Sequence, residues 1–106
     1  MSLYRFAKLK KLLRIEYRDS KPIGQHGEAC YGNLKILDRK WSQNWESYNY
    51  VADFGGNVVS FMNKIKFNID QRLNFKAKIK AHQENNLFKV QETRLNYLRI
   101  TKKEIS

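Results

Sequence analysis

The sequence predicts a mainly β fold: a small closed or partly closed barrel of about five strands, preceded by one basic amphipathic helix. Three observations carry this. From Leu73 onward, Leu73, Phe75, Ala77, Ile79 and Ala81 alternate with Asn74, Lys76, Lys78, Lys80 and His82, the period of a strand with one face in a core and one in solvent. The run Asp53-Phe54-Gly55-Gly56-Asn57 supplies the residues that a hairpin turn needs where φ is positive. A helical period occurs only at the start of the chain. A helix bundle is thereby excluded, and a β-sandwich would want more strands in a longer chain.

The first element spans residues 2–18. On a helical wheel Leu3, Phe6, Leu9, Leu13 and Tyr17 share one face, while Arg5, Lys8, Lys10, Lys11, Arg14 and Arg18 cover most of the rest. Ser2 is the N-cap. Such a helix suits a membrane surface, a nucleic-acid backbone or a partner groove, or it simply packs on the domain with its charges solvated. Residues 19–27, with Pro22, Gly24 and Gly27 as breakers, form a connector. Residues 28–38 make the first strand, where Gly32 marks a bulge or tight bend. Trp45 to Asp53 is the second strand and Val58 to Met62 the third. Residues 63–71 show no clear period. The fourth strand runs from Arg72 to His82, Glu84-Asn85-Asn86 is a turn, and Phe88 to Ile100 is the last strand. Its parity shifts near Asn96, which predicts a bulge there. The divisions are thus 1–22 for helix and connector, 23–101 for the barrel and 102–106 for a tail.

At 106 residues the chain is long enough for one domain with a single core. Its 42% hydrophobic and 13% aromatic content is that of a folded protein. Against 10 acidic residues stand 21 Lys and Arg, giving a net charge of +11. This excess favours nucleic acid or an anionic surface as partner. No apolar run reaches the roughly 18 residues of a membrane-spanning helix. The single Cys30 cannot form an internal disulfide, and no signal-peptide core opens the chain. The expected setting is cytoplasmic, in a cell or an infected host.

From Ile23 onward the pattern resembles OB-like nucleic-acid-binding domains of phage-encoded DNA-metabolism proteins. Ile23-Gly24-x-x-Gly27 leads into the opening strand, and a strand pair turns at Asp53-Phe54-Gly55-Gly56-Asn57-Val58. Ile79-Lys80-Ala81-His82 ends the penultimate strand, and Thr93-Arg94-Leu95 lies in the next. The resemblance implies an OB-like barrel with a nucleic-acid-related role. The N-terminal helix falls outside it.

Single-strand binding needs a cationic groove and flat rings on which bases stack. Lys76, Lys78 and Lys80, with Lys64 and Lys66, supply charge, and Trp41, Trp45, Tyr48 and Tyr50 supply rings. Lysines also keep a strand face soluble, and tryptophans also cap barrel mouths. OB folds bind across strands two and three and the adjoining loops, which puts Tyr48, Tyr50, Ser60 and the 41–45 loop at the centre and the lysine stripe at its flank. The acidic residues are scattered, His26 and Cys30 are too few for zinc, and no phosphate loop is present. No cofactor, metal or catalytic residue is expected, and His82 reads as solvated. The expected function is non-enzymatic binding of nucleic acid, with single-stranded DNA first. The alternative is an adaptor or inhibitor that meets an acidic protein surface through Leu3, Phe6, Leu9 and Leu13 or through a barrel edge.

Overall fold

The computed structural model describes residues 14–85 and 89–101. Five strands form one closed barrel in the order β1-β2-β3-β5-β4, with β4 returning to β1. They are β1 (Ala29–Ser42), β2 (Ser47–Phe54), β3 (Asn57–Asn63), β4 (Arg72–Glu84) and β5 (Gln91–Ile100). All pairs are antiparallel except β3 with β5. A closed barrel of this size is consistent with an OB-like fold.

β1 serves two neighbours. Ala29 to Lys35 pair with β4, and Lys35 to Ser42 pair with β2. The strand changes partner through two devices. The register slips between Ile36 and Asp38, so Leu37 is the extra residue of a bulge. At Gly32, φ is 149° and the Phe54 ring lies 2.8 Å from where a Cβ would sit. Only glycine accepts both that backbone and that ring. The irregularity expected at Gly32 is therefore a close approach, and the bulge lies five residues later.

The core follows the strand alternation. Leu34 and Ile36 from β1, Tyr50 and Ala52 from β2, Val59 and Phe61 from β3, Phe75 and Ile79 from β4 and Leu95 from β5 are all buried. Residues 64–71 close one end of the barrel with Phe67, whose ring lies 5.3 Å from that of Tyr50. The Tyr50 hydroxyl locks this plug: it donates to the Ile65 carbonyl at 2.6 Å and accepts from the Phe67 N–H at 2.7 Å.

The short β3–β5 contact is clamped from outside. Glu92, buried beside it, accepts from Ser60 Oγ at 2.8 Å, from Gln83 Nε2 at 2.6 Å and from Asn85 Nδ2 at 2.6 Å. A buried carboxylate is tolerated only with such partners.

The segment before β1 docks on the barrel. Tyr17 packs with Leu37, Val58 and Val90 in a second apolar cluster, and its hydroxyl donates to Asp53 Oδ2 at 2.6 Å. Burial first, and then the Asp53 carboxylate, push the Tyr17 phenol well above its ordinary pKa. Ser20 Oγ accepts from the Val58 N–H and donates to the Gln91 carbonyl. Ile23 N–H donates to Thr93 Oγ1, and His82 Nε2 donates to the Ile23 carbonyl at 2.9 Å. His82 is exposed, as expected, yet it ties the connector down.

Of the helix expected over 2–18, only 14–16 are helical among the described residues, and Tyr17 stands in the turn that follows. Leu3, Phe6, Leu9 and Leu13 lie outside the described residues. β1 runs four residues further than expected and carries Trp41, while β2 starts at Ser47 and not at Trp45. Glu46, with a φ of 47°, breaks the extension there. β4 extends to Glu84, and β5 begins at Gln91 and not at Phe88, which lies outside the described residues. The bulge expected near Asn96 is present: Lys76 faces Arg99 but Lys78 faces Asn96.

Candidate functional site

The period-2 reading of β4 holds from Leu73 to Lys80 and lapses at Ala81, which is only half-buried beyond a register shift. Leu73, Phe75, Ala77 and Ile79 are buried, and Lys76, Lys78 and Lys80 are exposed. What stands beside the lysines was not legible from β4 alone. Lys76 pairs with Tyr31 of β1 on one side and Arg99 of β5 on the other. Lys78 pairs with Ala29 on one side and Asn96 on the other. In the bulge between Asn96 and Arg99, Tyr97 takes a φ of 54° and its side chain is 76% exposed. Tyr31 is 70% exposed. Two rings thus stand in solvent on either side of a lysine-bearing strand, roughly 10 Å apart at the spacing of neighbouring strands.

The small Ala29 side chain leaves a depression between them. A hollow of about 750 Å3 is lined by Tyr31, Asn33, Asn74, Lys76 and Thr101, among others. A second, of about 360 Å3, is lined by Lys76, Lys78, Tyr97 and Arg99 with Ala29 and Ala77. Ala29 and Lys76 border both, so the two form one groove across β1, β4 and β5. Asn33 donates to Asn74 at 3.1 Å and accepts from Arg72 at 3.0 Å, which fixes amide groups at the groove's edge. No carboxylate stands at the outward positions 29, 31, 33, 72, 74, 76, 78, 80, 97 and 99. Arg72, Lys76, Lys78, Lys80 and Arg99 therefore make this face predominantly positive, with Glu28 and Glu84 only at its margins.

The expected centre on strands two and three is not a stacking surface. Tyr50 faces the barrel interior and is fully buried, with its ring 5.1 Å from Phe61. Burial raises its pKa. Tyr48 shares that inward parity and is half-buried, between Trp41 at 4.9 Å and Tyr50 at 5.9 Å. Both rings therefore belong to the core side of β2 and not to the open centre expected of them. Trp41 and Trp45 are exposed, at 49% and 70%, in and beside the β1–β2 turn. Lys64 and Lys66 are exposed in the 64–71 connection. That connection meets the tryptophan-bearing hairpin through Arg39, whose Nη1 donates to the Phe67 carbonyl at 2.7 Å. The residues expected to form one site therefore fall into two groups, the lysine stripe on the barrel wall and the tryptophans with Lys64 and Lys66 at one end.

Tyr31 and Tyr97 escaped sequence reasoning for a physical reason. Tyr31 lies next to Gly32, where alternation is hard to score, and Tyr97 reads as a core residue until the bulge turns it outward. The parity shift at Asn96 was the signal that could have found it. Cys30 is a small residue buried in the core, and that burial, with Glu28 adding to the effect, raises its thiol pKa. Among the described residues, no group of three or more His, Cys, Asp or Glu side chains is placed to hold a metal ion. Nor is any helix among them long and apolar enough to cross a membrane. Comparison with protein families, with curated proteins and with solved structures finds no match to this chain.

Proposed function

We propose that the chain is a non-enzymatic nucleic-acid-binding protein that takes single-stranded DNA on the outer face of β1, β4 and β5. The observation that carries this is the placing of Lys76 between Tyr31 and Arg99, with Tyr97 held outward in the adjoining bulge. Exposed rings between cations suit an unpaired strand, whose bases offer π faces while its phosphates seek positive charge. Alternate residues on a strand lie about 6.5 Å apart, comparable with successive phosphates of an extended single strand. Lys76, Lys78 and Lys80 thus form a ladder along which a backbone can run. A duplex hides its bases and gains only from the charge. The net charge of +11 supports the same reading, as does the resemblance from Ile23 onward to phage-encoded domains, which also supports an origin of that kind and action in a host cytoplasm.

Binding is mostly electrostatic and weakly sequence-selective, with affinity falling as salt rises. A fluorescence-anisotropy titration with labelled oligothymidylate, duplex DNA and RNA at two salt concentrations tests it. Tightest binding to the single-stranded DNA is expected, and absence of binding to all three at low salt overturns the proposal.

A further inference from the structure

The end of the barrel that carries the tryptophans differs in chemistry from the lysine-bearing wall. Ile65 is 57% exposed and its N–H donates to Asn63 Oδ1; Asn63 pairs with Tyr48, against which Trp41 packs. An isoleucine offers no π face to a base. Its exposure is relieved by apolar side chains of a protein partner. The outward positions of the β1–β4–β5 face hold tyrosines and cations with no large aliphatic residue among them.

The surface is also built in advance. The Trp41 ring rests edge-on against Tyr48 at 4.9 Å. The Arg39 guanidinium lies 5.8 Å from the centre of the Tyr48 ring and is anchored on the Phe67 carbonyl. The Ile65 carbonyl is held by the Tyr50 hydroxyl. Rings fixed in this way lose little freedom on binding, and tryptophan and arginine are the residues most often found at interface hot spots. Exposed Lys64 and Lys66 flank Ile65 in the chain, and exposed Lys40 precedes Trp41. Against these three cations stands the exposed carboxylate of Glu46, beside Trp45 in the chain, so the border of the apolar centre is net positive and favours an acidic partner.

We propose that this end, formed by Trp41, Trp45 and Ile65 with Lys64 and Lys66, docks an acidic peptide segment that carries aliphatic or aromatic side chains. The site is separate from the nucleic-acid face, and its test does not depend on that reading. The chain's two tryptophans both lie here, so intrinsic tryptophan emission reports this end of the barrel.

The full chain is titrated with a synthetic peptide of alternating aspartate and leucine ending in phenylalanine, and in parallel with oligothymidylate. The peptide shifts the emission to the blue in a saturable way. Replacing its aspartates by asparagine weakens binding by about tenfold, as does Lys64→Glu with Lys66→Glu, the order expected for an interface anchor. Lys76→Glu with Lys78→Glu leaves peptide binding unchanged. No emission shift up to millimolar peptide overturns the proposal. So does equal affinity for the asparagine peptide. A shift produced by oligothymidylate but not by the peptide, and lost in the Lys64 and Lys66 variant, also overturns it and gives this end to nucleic acid.

Discussion

Lys76 on β4 stands directly opposite Tyr31 on β1, both on the outer surface of the barrel. A lysine stripe alone is ambiguous between solubility and phosphate binding. A lysine stripe that separates two exposed rings offers both the charge and the π faces that the proposed single-strand binding calls for. Tyr97 holds the second ring outward at a φ of 54°, a backbone that costs a non-glycine residue about 1–3 kcal/mol.

Tyr31→Ala and Tyr97→Ala each lower affinity for oligothymidylate by about 1–3 kcal/mol, the value of one base stacked on a ring. Because both side chains are exposed, the melting temperature stays unchanged. Tyr97→Gly separates the two roles. It loses the ring while easing the backbone at a φ of 54°, so binding weakens without a fall in melting temperature. Titration and thermal melting of the same samples check this.

The plug at the tryptophan end depends on one hydroxyl. Tyr50→Phe strands the Ile65 carbonyl and the buried Phe67 N–H, and costs about 2 kcal/mol by urea denaturation. The ring remains, so the barrel still closes. Affinity of the distant lysine face for oligothymidylate holds under native conditions.

Glu92→Ala removes the acceptor shared by Ser60, Gln83 and Asn85. Buried donors left behind by the missing carboxylate make this costly, about 3 kcal/mol. The destabilisation appears as a lowered urea midpoint.

Stability falls at alkaline pH. Tyr17, Tyr50 and Cys30 all have raised pKa values in the folded chain. Each holds its proton more tightly folded than unfolded, so its contribution is complete below its unfolded pKa and declines as pH rises above it. The decline begins with Cys30, near the ordinary thiol value of about 8.5, and steepens with the tyrosines above about 10. Tyr17→Phe flattens the upper part, as read from denaturation midpoints across that range.

Much of the barrel was legible because alternation and turn chemistry agree. The β4 pattern from Leu73 to Ile79, the Gly55-Gly56 hairpin and the parity shift at Asn96 all appear where the sequence puts them. The site was less legible. Period-2 alternation places Tyr48 and Tyr50 on one face but does not say which face is inside, and the core took it. Nor does a strand pattern name its neighbours. Tyr31 lies forty-five residues from Lys76 in the chain and opposite it in the sheet. Only the closure of β1 onto β4 brings them together.

The most direct test of the nucleic-acid face is the affinity of the Lys76→Glu, Lys78→Glu double variant for single-stranded DNA, measured across a salt series. Both side chains are exposed, so the fold and its melting temperature persist. Two phosphates are then no longer neutralised, and the slope of log affinity against log salt becomes shallower by about 1.4. Most binding at low salt disappears. An unchanged affinity and an unchanged slope would contradict the assignment of this face.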